Sequence, residues 1–109
     1  MRILLDECVD QRLRHLFAEH ECQTAGYANL AGLKNGVLLA AAEAAGFEVM
    51  VTTDHEIPFQ QNLTMRRISI LVLCAPTNRL ADLTPLVPIA LETIRTIRPG
   101  QVERIPLTG

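Results

Sequence analysis

The sequence predicts an α/β protein with a mainly parallel sheet covered by helices on both faces, a three-layer α/β/α sandwich. Three observations carry that expectation. Short apolar runs alternate with helical patterns along the chain, as in folds built from strand–helix–strand units. Ile3-Leu4-Leu5, Val49-Met50-Val51 and the stretch from Ile68 to Cys74 are apolar almost throughout, as strands buried on both faces must be. Two of these runs stop at acids, Asp6-Glu7 and Asp54, where parallel strands end at a ligand crevice.

The first strand is read over Arg2 to Asp6. Asp10 then N-caps a helix from Gln11 to about Glu19, with Leu13, Leu16 and Phe17 on its core face. Glu21 to Ala25 is a short second strand, and Gly26 to Gly32 a loop or single turn. Asn35 is expected to cap an Ala-rich helix from Gly36 to Ala45, stopped by Gly46. Its nearly unbroken apolar character predicts burial on most sides. The third strand spans Phe47 to Thr53, and a polar connection from His55 to Arg67 leads to the fourth, Ile68 to Cys74. After Pro76, Asn78 caps a turn through Leu83, and Thr84-Pro85 opens the last helix. Leu86, Ile89, Ala90, Ile94 and Ile97 form its core face, Pro99-Gly100 ends it, and Val102 to Ile105 adds an edge strand.

The chain of 109 residues reads as one domain, and 49% hydrophobic against 20% charged residues places it among globular rather than disordered chains. No apolar stretch reaches the roughly 20 residues that span a bilayer. The acid at position 6 comes too early for a secretory apolar region, so a cytoplasmic protein with no membrane association is expected. Cys8, Cys22 and Cys74 are odd in number and lack framework spacing, which predicts free thiols. A net charge of −2 excludes a strongly basic nucleic-acid footprint. Lys34 is the single lysine among ten cations, and the arginines are well suited to two-pronged phosphate contacts.

Asp6 and Asp54 are the leading candidates for chemistry, because crossover topology brings their strand ends to one edge. Two carboxylates there suit a hard divalent cation. Glu7 is a third candidate ligand, with its side chain expected toward the other side of the chain. Thr52 and Thr53 could orient Asp54, with His55 and Glu56 close behind. Asn35, near the start of its helix, could orient a water. Glu43 lies about 12 Å further along that helix at 1.5 Å per residue, which predicts a structural ion pair or an exposed position. Lys34, Arg66 and Arg67 are candidate phosphate contacts, and Gln60, Gln61 and Asn62 candidate contacts to phosphate, ribose or base edges. Two carboxylates support one metal ion rather than the pair of a two-metal site.

Leu4-Leu5-Asp6-Glu7, Gly32-Leu33-Lys34-Asn35-Gly36-Val37-Leu38-Leu39, Thr52-Thr53-Asp54 and Gln60-Gln61-Asn62-Leu63 together resemble a PIN-like domain of the small DUF5615 type. The chain is similar to toxin components of bacterial toxin–antitoxin systems along nearly its whole length. The resemblance implies a compact α/β/α sandwich and hydrolysis of RNA with Mg²⁺ or Mn²⁺ held by clustered carboxylates. Carried over by position, Asp6 and Asp54 match two of those acids. The place near the start of the central helix that is often acidic in relatives holds Asn35 and Gly36, and Leu73-Cys74-Ala75-Pro76 supplies no acid after the fourth strand. The partners this implies are RNA and an antitoxin protein; a second copy of the chain, as a homodimer, is the other partner to consider.

The expected function is therefore a metal-dependent ribonuclease. The alternative is a catalytically degenerate module that keeps the fold and binds RNA or a protein without cutting. A receiver-like phospho-acceptor domain fits less well, because Cys74 and Arg104 stand nearest the places where a Thr or Ser and a Lys would belong.

Overall fold

The structure, a computed structural model, describes residues 1–56 and 66–106, the side chain of Asn35 excepted. Five strands form one sheet: β1 (Arg2–Leu5), β2 (Glu21–Thr24), β3 (Val49–Thr52), β4 (Ser69–Leu73) and β5 (Val102–Ile105). Their order is β2-β1-β3-β4-β5, and every neighbouring pair is parallel. The expected sheet is thus not merely mainly but entirely parallel across the described strands.

Side chains alternate across this sheet and build a separate core on each face. Ile3, Leu5, Val49, Val51, Leu71 and Leu73 pack with Leu13 and Phe17 of a 3-10 helix (Gln11–Phe17) and with Val87, Ala90 and Ile94. Leu4, Met50, Ile70 and Val72 face the other way, onto Leu38, Leu39 and Ala42 of α1 (Asn35–Ala44). Short helix α2 (Leu80–Leu83), a 3-10 turn (Thr84–Leu86) and α3 (Val87–Ile94) complete the first face. These layers make the α/β/α sandwich. Among the described residues, no helix is long and apolar enough to cross a membrane.

Several local expectations need correction. The first helix is of the tighter 3-10 type and stops at Phe17. Asp10 does cap it, accepting from the Arg12 amide at 2.9 Å. Leu16 and Ile89, expected in the core, are exposed, because each helix presents only a narrow strip to the sheet. Val37 is 63% exposed, so α1 buries one face and leaves most of its small apolar residues outside. Lys34, with extended backbone, holds the N-cap position expected for Asn35, which is already the first residue of the helix. At its far end the expected Gly46 stop is present: Gly46, at φ +88°, donates to the Glu43 carbonyl and Phe47 donates to that of Ala42. These are the paired bonds of a Schellman ending.

Candidate functional site

The carboxyl ends of β1 and β3 lie side by side, with Leu5 in register with Val51. The Asp6 amide continues this ladder by donating to the Val51 carbonyl at 3.0 Å. Beyond these ends lies an open cleft of about 410 Å³, lined among others by Asp6, Glu7, Lys34, Thr53 and Asp54. Here the order of the sheet reverses: the chain leaves β1 for β2 on one side and returns to β3 on the other. That reversal opens a crevice in doubly wound sheets.

Thr52 links the two aspartates. Its buried hydroxyl donates to Asp6 Oδ2 at 2.8 Å and accepts from the Asp54 amide at 3.0 Å. The other Asp6 oxygen accepts from the Glu7 amide at 2.9 Å. Asp54 Oδ1 accepts from the Glu56 amide at 2.9 Å, an Asx turn that fixes the carboxylate at the cleft wall. Glu7 lines this cleft and the hollow beside it, and its carboxylate accepts from the Gly32 amide. Cys8 stands between the strand ends, with Sγ 3.5 Å from Asp6 Oδ2 and accepting from the Thr53 hydroxyl at 3.2 Å.

The cations divide differently from expectation. Lys34 lines the cleft. Arg66 instead lies 4.0 Å from Glu43 and donates to the Gly36 carbonyl at 3.5 Å. Arg67 lines a separate hollow with Glu43, Gly46, Phe47 and Glu48 at the amino end of the sheet. Neither arginine is therefore a cleft residue: the start of β4 lies at the edge opposite to Asp54. Glu43 takes the structural role expected of it, accepting from the Arg67 and Ile68 amides at 3.2 and 3.5 Å. His55 Nδ1 sits 3.8 Å from Cys74 Sγ. Gln60, Gln61 and Asn62 lie outside the described residues.

Sequence reasoning did not single out Cys8 or Asn78, which also line the cleft. It assigned Thr52 to Asp54 alone, although the threonine serves both acids. A pair of hydroxyls closing an apolar strand before an acid is the available signal.

An ionised carboxylate offers about four acceptor sites, so Asp6 and Asp54 keep capacity beyond these internal bonds. Such a pair fits one hard cation, bound through one or two carboxylates and a shell of water. It does not fit two. Among the described residues, no group of three His, Cys, Asp or Glu is arranged to hold a metal ion. Comparison with protein-family models, curated proteins and solved structures finds no match, so the chain's own geometry must carry the functional reading.

Proposed function

We propose that the chain is a metal-dependent ribonuclease whose centre is the Asp6–Asp54 cleft, with the toxin of a toxin–antitoxin pair as its biological setting. The observation that carries this reading is the meeting of two carboxylates and Lys34 in one open crevice at the switch point of the sheet. Asp6 and Asp54 would hold a single Mg²⁺ or Mn²⁺, and Glu7 would reach it through water. When bound, such an ion polarises a phosphoryl oxygen and lowers the pKa of water. Thr52 keeps the Asp6 carboxylate turned to the cleft through the hydroxyl bond already described. Lys34 holds the phosphodiester and offsets charge as it develops. The first amides of α1, beside Lys34, add donors toward the same anion. Asn35, next in the chain, has the role of orienting the attacking water. A protein antitoxin would cover this edge and set a basic side chain among the acids.

The test is cleavage of a mixed fluorescent RNA panel with Mn²⁺ or Mg²⁺, comparing wild type with Asp6→Asn/Asp54→Asn. The expected result is cleavage by wild type that falls by on the order of a hundredfold or more in the double variant, since loss of several kcal/mol of charge stabilisation has that size. Cleavage that survives the double substitution sinks the reading.

A second reading, a binding module that does not cut, is favoured by one observation. Both aspartates already serve internal hydrogen bonds, and no third metal-ligating side chain joins them among the described residues. Mn²⁺ titration separates the two: the nuclease loses affinity in Asp6→Asn, and the module shows none to lose.

A further inference from the structure

The acid cleft is one end of a longer groove. A second hollow of about 380 Å³ shares Asp6 and Glu7 with it as a common wall. A third, of about 700 Å³, shares Gln11, Thr24 and Gly26 with the second. The first two lie past the carboxyl ends of β3 and β1, and the third runs along the edge strand β2, from Thr24 back to Glu21. The groove therefore passes two strand ends, turns along β2 and ends at Tyr27 and Arg14.

Tyr27 is otherwise hard to explain. It is the chain's single Tyr, in a protein without Trp, and it is 80% exposed. Its backbone is nevertheless held firmly. The Tyr27 amide donates to the Thr24 hydroxyl at 3.1 Å, Ala28 donates to the Thr24 carbonyl at 3.0 Å, and Leu30 to that of Ala25 at 2.8 Å. Asn29, at φ +65°, closes the turn. The turn thus holds the aromatic ring out in water at the wall of the third hollow. Arg14, exposed on the 3-10 helix, lines the same hollow. Glu21 opposite is offset by Arg2, whose Nε lies 3.3 Å from its carboxylate. Burial pushes the Cys22 thiol up to about 11, so that wall stays neutral and Arg14 faces little competing charge.

We propose that Tyr27 and Arg14 form a subsite for single-stranded RNA, in which the Tyr27 ring stacks on a base and Arg14 holds a neighbouring phosphate, at the far end of the groove from Asp54. An exposed ring beside a cation along a groove is how single strands are bound without sequence preference. This subsite rests on the ribonuclease reading for its purpose, although not for its existence. It gives the substrate class a shape: an extended single strand laid past the ends of β3 and β1 and along β2, rather than a duplex.

The test is fluorescence anisotropy with a labelled single-stranded oligoribonucleotide of mixed sequence, in EDTA so that no turnover occurs. Wild type, Tyr27→Ala, Tyr27→Phe and Arg14→Gln are compared, with the matching RNA duplex as a second probe. Tyr27→Ala is expected to weaken binding by about tenfold and Tyr27→Phe to bind as wild type. Arg14→Gln should weaken binding and reduce the salt slope by about one. The duplex should bind more weakly than the single strand. Since Tyr27 is exposed, folding is not at stake, and circular dichroism checks it. Wild-type affinity retained in Tyr27→Ala, preference for the duplex, or no RNA binding by wild type each overturns the subsite. Tyr27-dependent binding without cleavage upholds it and removes the nuclease reading. Cleavage by wild type with no dependence on Tyr27 does the reverse.

Discussion

The two edges of the sheet carry acids in similar number and treat them in opposite ways. At the amino edge, Glu43 faces Arg66 and receives two backbone amides. Arg2 ties that edge together: its Nε pairs with Glu21 at an angle short of a hydrogen bond, and its guanidinium lies 4.5 Å from the Phe47 ring centre. It also donates to the Ala45 carbonyl. At the carboxyl edge, Asp6, Glu7 and Asp54 meet amides and a hydroxyl. Among the described residues, none of them forms a salt bridge. One edge is closed by its own ion pairs, and the other leaves carboxylates oriented by amides and a hydroxyl in a cleft they share with Lys34.

Substitutions can break or sharpen this contrast. The largest effect belongs to the carboxyl edge. Asp6→Asn should lower RNA cleavage by on the order of a hundredfold and cost only about 1–2 kcal/mol of unfolding free energy, because the amide keeps one acceptor oxygen for the two donors, Thr52 and the Glu7 amide. Cleavage and urea denaturation, measured on the same preparation, check both halves. Glu43→Ala should show the opposite balance. It strands two amides and Arg66, costing about 1–3 kcal/mol, with Mn²⁺ affinity at the cleft unchanged by titration. A loss of metal affinity there would erase the distinction between the edges.

Gly46→Ala should follow, at about 1–2 kcal/mol, since a side chain is strained at φ +88°. Its Cβ would also lie 2.9 Å from Arg2 Nη1, so the amino edge should loosen in thermal unfolding. The smallest effect is at Asp10, the partly exposed acid that caps the 3-10 helix. Hydrogen bonds from Arg12 lower its pKa to about 2 from 3.8. A lowered folded-state value means stability present above the ordinary value and lost as pH falls toward 2. Asp10→Asn should therefore lower the urea midpoint slightly at neutral pH, with the difference from wild type vanishing below pH 2.

Strand positions were the most legible part of the sequence, because double burial leaves runs such as Val49-Met50-Val51 with no polar interruption. The Gly46 stop was legible too, since few residues other than glycine accept its backbone. Helix faces were less so. In α1 the residues are small and apolar on every side, and nothing local says that Val37 faces outward while Leu38 and Leu39 face in. The Asp6–Asp54 pairing followed from topology alone. Arg66 and Arg67 were misplaced because a connection's polarity does not reveal which edge its end reaches. Only half of Thr52's role is local: its bond to Asp54 is, but its bond to Asp6 spans β3 to β1.

Because β1 lies between β2 and β3, this earliest of the five described strands has two neighbours in the finished sheet and neither when it is made. It gains β2 once Glu21–Thr24 are made, and waits for Val49–Thr52 to close its other side. Among the described strands no pair is joined by a hairpin; each neighbour is reached only across a crossover, the slow class of pairing. During that interval Ile3, Leu4 and Leu5 are an apolar strand with an open edge, the form most prone to pair with the wrong chain. The same central position that gives Asp6 its place beside Asp54 makes nascent β1 the segment most dependent on prompt synthesis of β3.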